Sequence, residues 1–297
     1  MIVTSVPLQV STVLNATYLS ITFALIAIGL TLVFGFNGVL NAAHGGFWLI
    51  GAYLTVWTST ATGRFWPSIV VVFVAMVVLG LLMEYLLLKR SYDLDSLVTL
   101  LLTFGVLQMM IGAILLTFGE KSKTVDLPAV LADSVTILGD SYPSYQLFVI
   151  AAGTVLIVAT WGLLAFTNIG LVVRASLLDR EMARGLGHDI PAIYTLVFVW
   201  SVVLVGWAGM FMVPIHGVNP LGGLTILLEA FALVIIGGLG SFRGTIVAAF
   251  ILGFVESFAT QFISFRLSGI VIYAVLLVVL LIRPYGIFGV KQAATEN

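Results

Sequence analysis

NGVLNAAHGG, residues 37–46, separates two long apolar runs, and its reading decides how the chain folds. It holds two asparagines, one histidine and three glycines. STVLNATYLSITFALIAIGLTLVF lies before it and FWLIGAYLTVW after it. If those runs cross a bilayer, the break sits where an unpaired backbone group costs several kcal/mol. Irregular backbone at that depth is either covered by protein or lines a wet cavity.

Composition supports the bilayer. The 297 residues are 61% hydrophobic and 8% charged, against about 25% charged in soluble domains, and the mean hydropathy is +1.21. Lys plus Arg (12) nearly balances Asp plus Glu (13), so the net charge of -1 gives no sign of a nucleic-acid partner. The chain has no cysteine, which removes disulfides, thiol catalysis and Cys-ligated metals. Its three histidines, at 44, 188 and 216, are too scattered for a metal cluster. The start MIVTSVPLQV lacks a basic stretch of the kind that opens a cleaved signal, so the first span is read as retained.

A helix needs about 20 apolar residues to cross the hydrocarbon. Spans are expected near 12–35, 44–60, 67–88, 96–118, 145–166, 191–212, 224–238, 244–264 and 268–282. That is an all-α, polytopic integral membrane protein of about nine helices, some broken or re-entrant, in one domain over 1–297. The second and seventh spans stand apart. The seventh is short and is bracketed by Gly222-Gly223 and Gly237-Gly238, as expected of a helix tilted poorly or broken inside protein. Lys89, Arg90, Arg174, Arg180, Arg184, Arg243, Arg283 and Lys291 gather on one side of this topology, and Arg64, Lys121, Lys123 and Arg266 on the other. The positive-inside rule puts the richer side, with the C-terminus, in the cytoplasm and the N-terminus outside. Loop 119–143, with Asp126, Asp133 and Asp140, is then external, loop 167–190 is internal, and the tail from about 291 is disordered.

Polar or broken helices at depth are the sequence pointer to a transport site. In 37–46, Asn37, Asn41 and His44 can each donate and accept hydrogen bonds, and the glycines permit tight bends. The stretch either lines or supports a path, or is an interfacial turn capping two helix ends. VPIHGVNPLGG, residues 213–223, stops a helix and reads as an external loop or a contact for solute or a docking protein. Glu229 and Glu256 are ionisable residues inside or at the ends of spans. Such residues face an interior or a cavity when they lie at depth, and Glu229 is placed in the interior, where it can meet a cation or an ammonium group. Gly244 with Ala248, and Ala249 with Gly253, repeat at the spacing that lets helices approach closely.

RASLLDREMARGLGHDIPAIY, residues 174–194, carries Arg174, Asp179, Arg180, Glu181, Arg184 and Asp189 within 16 residues. It reads as a short helix across the cytoplasmic mouth, ended by Gly185 and Gly187, or as a solvated connector. No lysine follows a glycine, so the chain has no P-loop. If ATP drives transport, another subunit must hydrolyse it.

Four stretches together resemble the permeases of branched-chain amino acid ABC transporters, of the LivH/LivM type and closest to LivH. They are GLTLVFGFNGVLNAAHGGFWLIGAY (29–53), RASLLDREMARGLGHD (174–189), GGLGSFRGTIVAAFILGFVE (237–256) and RPYGIFG (283–289). In the first, Asn41, Ala43, His44 and Gly45 match the N-x-A-H-G signature, while Ala42 replaces a common aromatic and Gly46 a common Glu. In the second, Arg174, Ala175, Asp179, Ala183 and Gly187 match, and His188 replaces an aliphatic. Arg243 stands where Pro is frequent, and Glu229 where many relatives carry Lys.

The resemblance implies a permease subunit that does no covalent chemistry and holds no cofactor or metal. ATP and Mg would act in two cytoplasmic ATP-binding subunits. A second permease and an extracytoplasmic solute-binding protein would complete the complex in the cell inner membrane. Leu, Ile or Val is the expected solute, with urea, short amides and other amino acids as same-family alternatives. Asn37, Asn41, His44, Gly45 and Glu229 would belong to the translocation path. Arg174, Asp179, Arg180, Ala183, Arg184 and Gly187 would couple to the ATPase, and Gly237, Gly238, Gly240, Gly244, Ala248 and Gly253 would pack helices. Two rivals fare worse. An aquaporin-type channel needs a second Asn-bearing re-entrant loop, for which Asn219-Pro220 is the candidate without matching flanks. An intramembrane enzyme needs a nucleophile–base or metal set that the sequence does not offer.

Overall fold

The computed structural model describes residues 10–38, 40–91, 94–178, 189–262 and 265–289. Its elements are helical apart from one small hairpin. The helix α1 runs Val10–Asn37 and α2 His44–Thr62. Next, α3 runs Pro67–Met83, widens into a π-helical turn at Glu84–Leu88 and closes at Lys89–Ser91. Then come α4 (Ser96–Phe118), the antiparallel strands β1 (Ser134–Ile137) and β2 (Asp140–Pro143), α5 (Ser144–Phe166) and α6 (Asn168–Leu178). The chain closes with α7 (Ile190–His216), α8 (Gly222–Gly237), α9 (Phe242–Phe262) and α10 (Phe265–Ile282).

Local chemistry explains the boundaries. Pro67 sits in the first turn of α3, where its missing N–H costs nothing. Asp95 caps α4 by accepting from the Leu97 N–H at 2.7 Å, and Asp189 caps α7 by accepting from the Ala192 N–H at 3.1 Å. Left-handed Gly63 ends α2.

The helix α1 is the central post. It packs against α5, α7, α8 and α9, and α2 in turn packs against α7, α8, α3 and α4. Both α1 and α7 are mostly buried, whereas α3, α4 and α5 expose Val74, Leu101, Leu116 and Val155. An apolar surface of this extent suits lipid. Among the described residues, six helices are long and apolar enough to cross a bilayer: α1, α3, α4, α5, α7 and α9. In addition, α8 and the stretch Gly269–Ile282 of α10 are shorter apolar helices. Six is three fewer than the nine segments expected from sequence: α2 and α8 start inside the bundle, and Gly269–Ile282 is a shorter apolar helix.

Two ends of the bundle can be told apart. At one, the Ser11 N–H donates to Asp140 Oδ2 at 3.2 Å, and Lys123 and Val218 exchange backbone bonds of 2.8 Å. Loops 63–66 and 124–130 flank a cleft of about 420 Å³ at this hairpin end. The opposite end holds the end of α3, the start of α7 and the turn 238–241. At the hairpin end, Tyr142 of β2 is buried, and burial pushes its phenol above the usual range.

Candidate functional site

Asn41 builds the start of α2. Its Oδ1 accepts from the Ala43 N–H at 3.0 Å and its carbonyl from the His44 N–H at 3.3 Å. The Ala42 N–H donates to Thr103 Oγ1 of α4 at 3.0 Å. Asn219 builds the start of α8 in the same way. Its Oδ1 accepts from the Leu221 N–H, and its carbonyl from the Gly222 N–H, each at 3.0 Å. Two helices therefore begin on the same asparagine turn.

These starts lie inside the bundle and against one another. His44 Nε2 is 2.8 Å from the Ile26 carbonyl, which can only accept, so Nε2 carries the hydrogen. Ile26 is eleven residues from the end of α1, about 16 Å along its axis. After α1 ends, the chain thus runs back among the helices before α2 begins. Gly29 makes room for the imidazole, since a methyl there would stand 2.9 Å from His44 Cε1. A methyl on Gly45 would strike the Gly223 carbonyl oxygen, and one on Gly222 would press Trp48 at 3.2 Å. The first two turns of α2 and α8 overlap. From there α2 runs to the hairpin end and α8 to the opposite end. Gly51 against Gly206, and Gly209 against the Trp48 carbonyl, hold α2 equally close to α7.

Among the described residues, the junction holds two unused donors and one unused acceptor, the His44 Nδ1 lone pair. Asn41 and His44 are fully buried and Trp48 nearly so. Asn41 Nδ2, His44 Nδ1 and Trp48 Nε1 find no partner among the described residues. Helix N-termini carry the positive end of the helix dipole, and broken helices in transporters present such ends to anionic groups.

The residues singled out from sequence fall into separate places. Asn41, His44 and Gly45 form the junction, and Asn37 closes α1. Glu229 lies elsewhere, half-buried on α8, close enough to Glu256 of α9 for the two carboxylates to repel. Arg174 sits in α6, while Asp179, Arg180, Ala183, Arg184 and Gly187 lie outside the described residues. Most of the glycine set gathers at the opposite end, with Gly253 farther along α9. Gly237 and Gly244 are backbone to backbone, as are Gly35 and Gly240, and Gly253 fits against Ser20 of α1. Ala248 is fully buried beside them. Ser241 Oγ accepts from the Gly244 N–H at 3.1 Å and caps α9. The tail joins the same place: the Ile287 N–H donates to the Ile236 carbonyl at 2.8 Å, and the Phe288 N–H to Gly237 at 3.1 Å. GGLGSFRG and RPYGIFG are thus two halves of one joint.

Sequence reasoning passed over Asn219 as a junction residue and Glu84 altogether. Glu84 is fully buried in the π-helical turn of α3, with Thr195 Oγ1 of α7 at 3.5 Å from Oε1. Its signal was an acidic residue five positions before Lys89, which reads equally as the end of a span. Among the described residues, no three His, Asp or Glu side chains gather as a metal site.

Buried helix starts inside a polytopic bundle define a membrane transport protein rather than an anchor. The family model described as branched-chain amino acid transport system / permease component matches residues 12–280. The chain belongs to that family, and it is a multi-pass transport subunit, not an enzyme. It is 30% identical over 293 residues to the high-affinity branched-chain amino acid permease LivH of Escherichia coli K12, covering 93% of this chain and 94% of the relative. It is 28% identical to BraD of Pseudomonas aeruginosa over 90% of this chain and 92% of that one. A probable LivH of Methanocaldococcus jannaschii is 27% identical, with 90% and 88% covered. Among solved structures, PsaBC from Streptococcus pneumoniae in complex with Fab shares the fold, with TM-score 0.53 and 15% identity over 94% of this chain and 95% of that one.

Proposed function

We propose that this chain is one membrane-spanning half of an ATP-driven importer for branched-chain amino acids. A second permease forms the other half. Two cytoplasmic subunits bind ATP and Mg, and an extracytoplasmic protein delivers solute at the hairpin end, where the cleft between 59–66 and 124–130 opens. The opposite end, with Lys89, Arg90, Arg243 and Arg283, faces the cytoplasm of a cell whose inner membrane holds the complex. The relatives' names support the solute.

One observation carries the transport reading within the fold: α2 and α8 begin on twin asparagine turns and touch at Gly45 and Gly223, inside the bundle. That contact fills the space a pore within a single chain would need, so the path runs beside this chain rather than through it. Asn37, Asn41, His44 and Gly45 support the closed wall of the path, and Glu229 faces it. The segment 174–189, with Arg174, Asp179, Arg180, Ala183, Arg184 and Gly187, passes the ATPase stroke to this wall.

The test is ATP-dependent uptake of radiolabelled leucine, with urea in parallel, by proteoliposomes holding all subunits. Ala183→Arg in the coupling segment abolishes uptake while the subunits still co-purify. Flux through this chain alone, without ATP and untouched by that substitution, overturns the proposal; urea uptake in place of leucine reassigns the solute.

A further inference from the structure

We infer that the face of α8, α9 and α10 bearing Thr225, Glu229, Glu256 and Tyr273 fronts the second permease across a wet path, while α3, α4 and α5 face lipid; this rests on the importer reading above. The argument is a contrast between two sides of one bundle. On α3, α4 and α5 the exposed side chains are overwhelmingly aliphatic. Away from the helix ends, the exposed polar ones there are neutral: Gln108, and Thr117 and Thr154, whose hydroxyls donate to carbonyls one turn back. A surface of this kind is at home in hydrocarbon.

The other side is different. Thr225 and Leu228 are exposed on α8, and Glu229 beside them is only half-buried. Glu229 lies seven residues into a sixteen-residue helix, far from either end. Tyr273 is exposed on α10 and within electrostatic reach of Glu229, and Glu256 completes the group from α9. Glu256 Oε2 has no partner among the described residues. Carboxylates at such a depth, with no cation beside them among the described residues and without full burial, are strongly disfavoured against lipid tails and face protein or water instead. The sheltered flank of α8, at Gly223, Leu227 and Ala230, is taken by this chain's own core. The open flank therefore needs a cover that tolerates charge, which a second permease across a watered seam supplies.

The absence of cysteine from the sequence makes a clean test. Nitroxide labels are placed singly at Thr225→Cys and Tyr273→Cys, and for comparison at Val74→Cys and Leu101→Cys. The whole transporter, with cysteine-free partner subunits, is held in nanodiscs. Collision with oxygen, which concentrates in lipid, and with a water-soluble nickel chelate is read at each site. Expected are oxygen collision rates several-fold lower at 225 and 273 than at 74 and 101, with nickel access at 225 or 273. Leu228→Cys on the same face replaces Tyr273→Cys if that variant does not assemble. Oxygen rates at 225 and 273 equal to those at 74 and 101 in an assembled complex overturn the inference alone. Failure of the unlabelled chain to co-purify with a second permease overturns the importer reading, and the inference with it.

Discussion

Gly45 and Gly223 meet backbone to backbone, and neither has space for a methyl group: one on Gly45 would strike the Gly223 carbonyl, and one on Gly223 would stand 2.9 Å from the Gly45 oxygen. Two helices that start at depth can interlock only if both starts are this thin. Overfilling such a contact costs about 1–3 kcal/mol. Gly45→Ala therefore lowers the thermal midpoint of the purified subunit, and Gly223→Ala lowers it less. The control is Gly105→Ala on α4, where nothing lies within 4 Å. There a helical Gly→Ala change is neutral or stabilising by up to about 1 kcal/mol. Equal midpoints for Gly45→Ala and Gly105→Ala would contradict the interlock.

A second prediction concerns the joint between the two glycine motifs. Gly238 has φ +101°, and a methyl there would fall on Gly289; Gly286 has φ +80°, and a methyl there would sit 2.5 Å from the Ile235 carbonyl. Each Ala substitution costs about 1–3 kcal/mol from strain and crowding. Because a methyl on Gly286 would also meet Gly238 Cα at 2.6 Å, the sites are neighbours, and the double variant departs from the sum by about 0.5 kcal/mol or more. Thermal midpoints of the two single variants and the double variant check this. Strict additivity would show the tail to be independent of the end of α8.

Much of this layout was legible in the sequence. The expected span 96–118 is α4 to the residue, and 145–166 differs from α5 by one position. Apolar run length sets those helices, and run length is a local property. The short seventh span and the polar start of the second stood out for the same reason, and they are the pair that meets. Their meeting itself was not legible. Asn41 and Asn219 lie far apart in sequence, and nothing local says that two asparagine turns will face each other. The hairpin was hidden differently. Its two-residue turn places Leu138 at φ 50° before Gly139 at φ 95°, and a leucine there masks the usual Asn-Gly signal. Glu84 was hidden because a π-helical turn leaves no periodicity to read.

His44 gives a third prediction. Its imidazole is fully buried and donates to the Ile26 carbonyl at 2.8 Å. His44→Ala removes a hydrogen bond worth about 1 kcal/mol net and leaves a cavity, for a combined loss of about 2–4 kcal/mol. His44→Gln fills more of the space and restores part of the loss. Thermal unfolding ranks the three proteins as wild type, Gln, then Ala. An Ala variant as stable as wild type would mean that the junction closes without the ring.

The fourth prediction is an asymmetry between two threonines buried between α1 and α9. The hydroxyls of Thr31 and Thr245 are 2.6 Å apart. Thr245 Oγ1 also donates to the Ser241 carbonyl at 3.0 Å. A hydroxyl has one hydrogen, so Thr245 accepts and Thr31 donates. Thr31→Val then leaves Thr245 with its Ser241 bond and costs about 0.5–1 kcal/mol, the low end for a hydrogen bond. Thr245→Val strands the Thr31 hydroxyl in a dry seam and costs about 1–3 kcal/mol, the range for a buried unsatisfied group. Removing both hydroxyls leaves no orphan, so the double variant is no worse than Thr245→Val alone. Thermal midpoints of the three variants check the order. If Thr31→Val proves the costlier single change, the donor and acceptor are the reverse of this assignment and the Ser241 bond is not made.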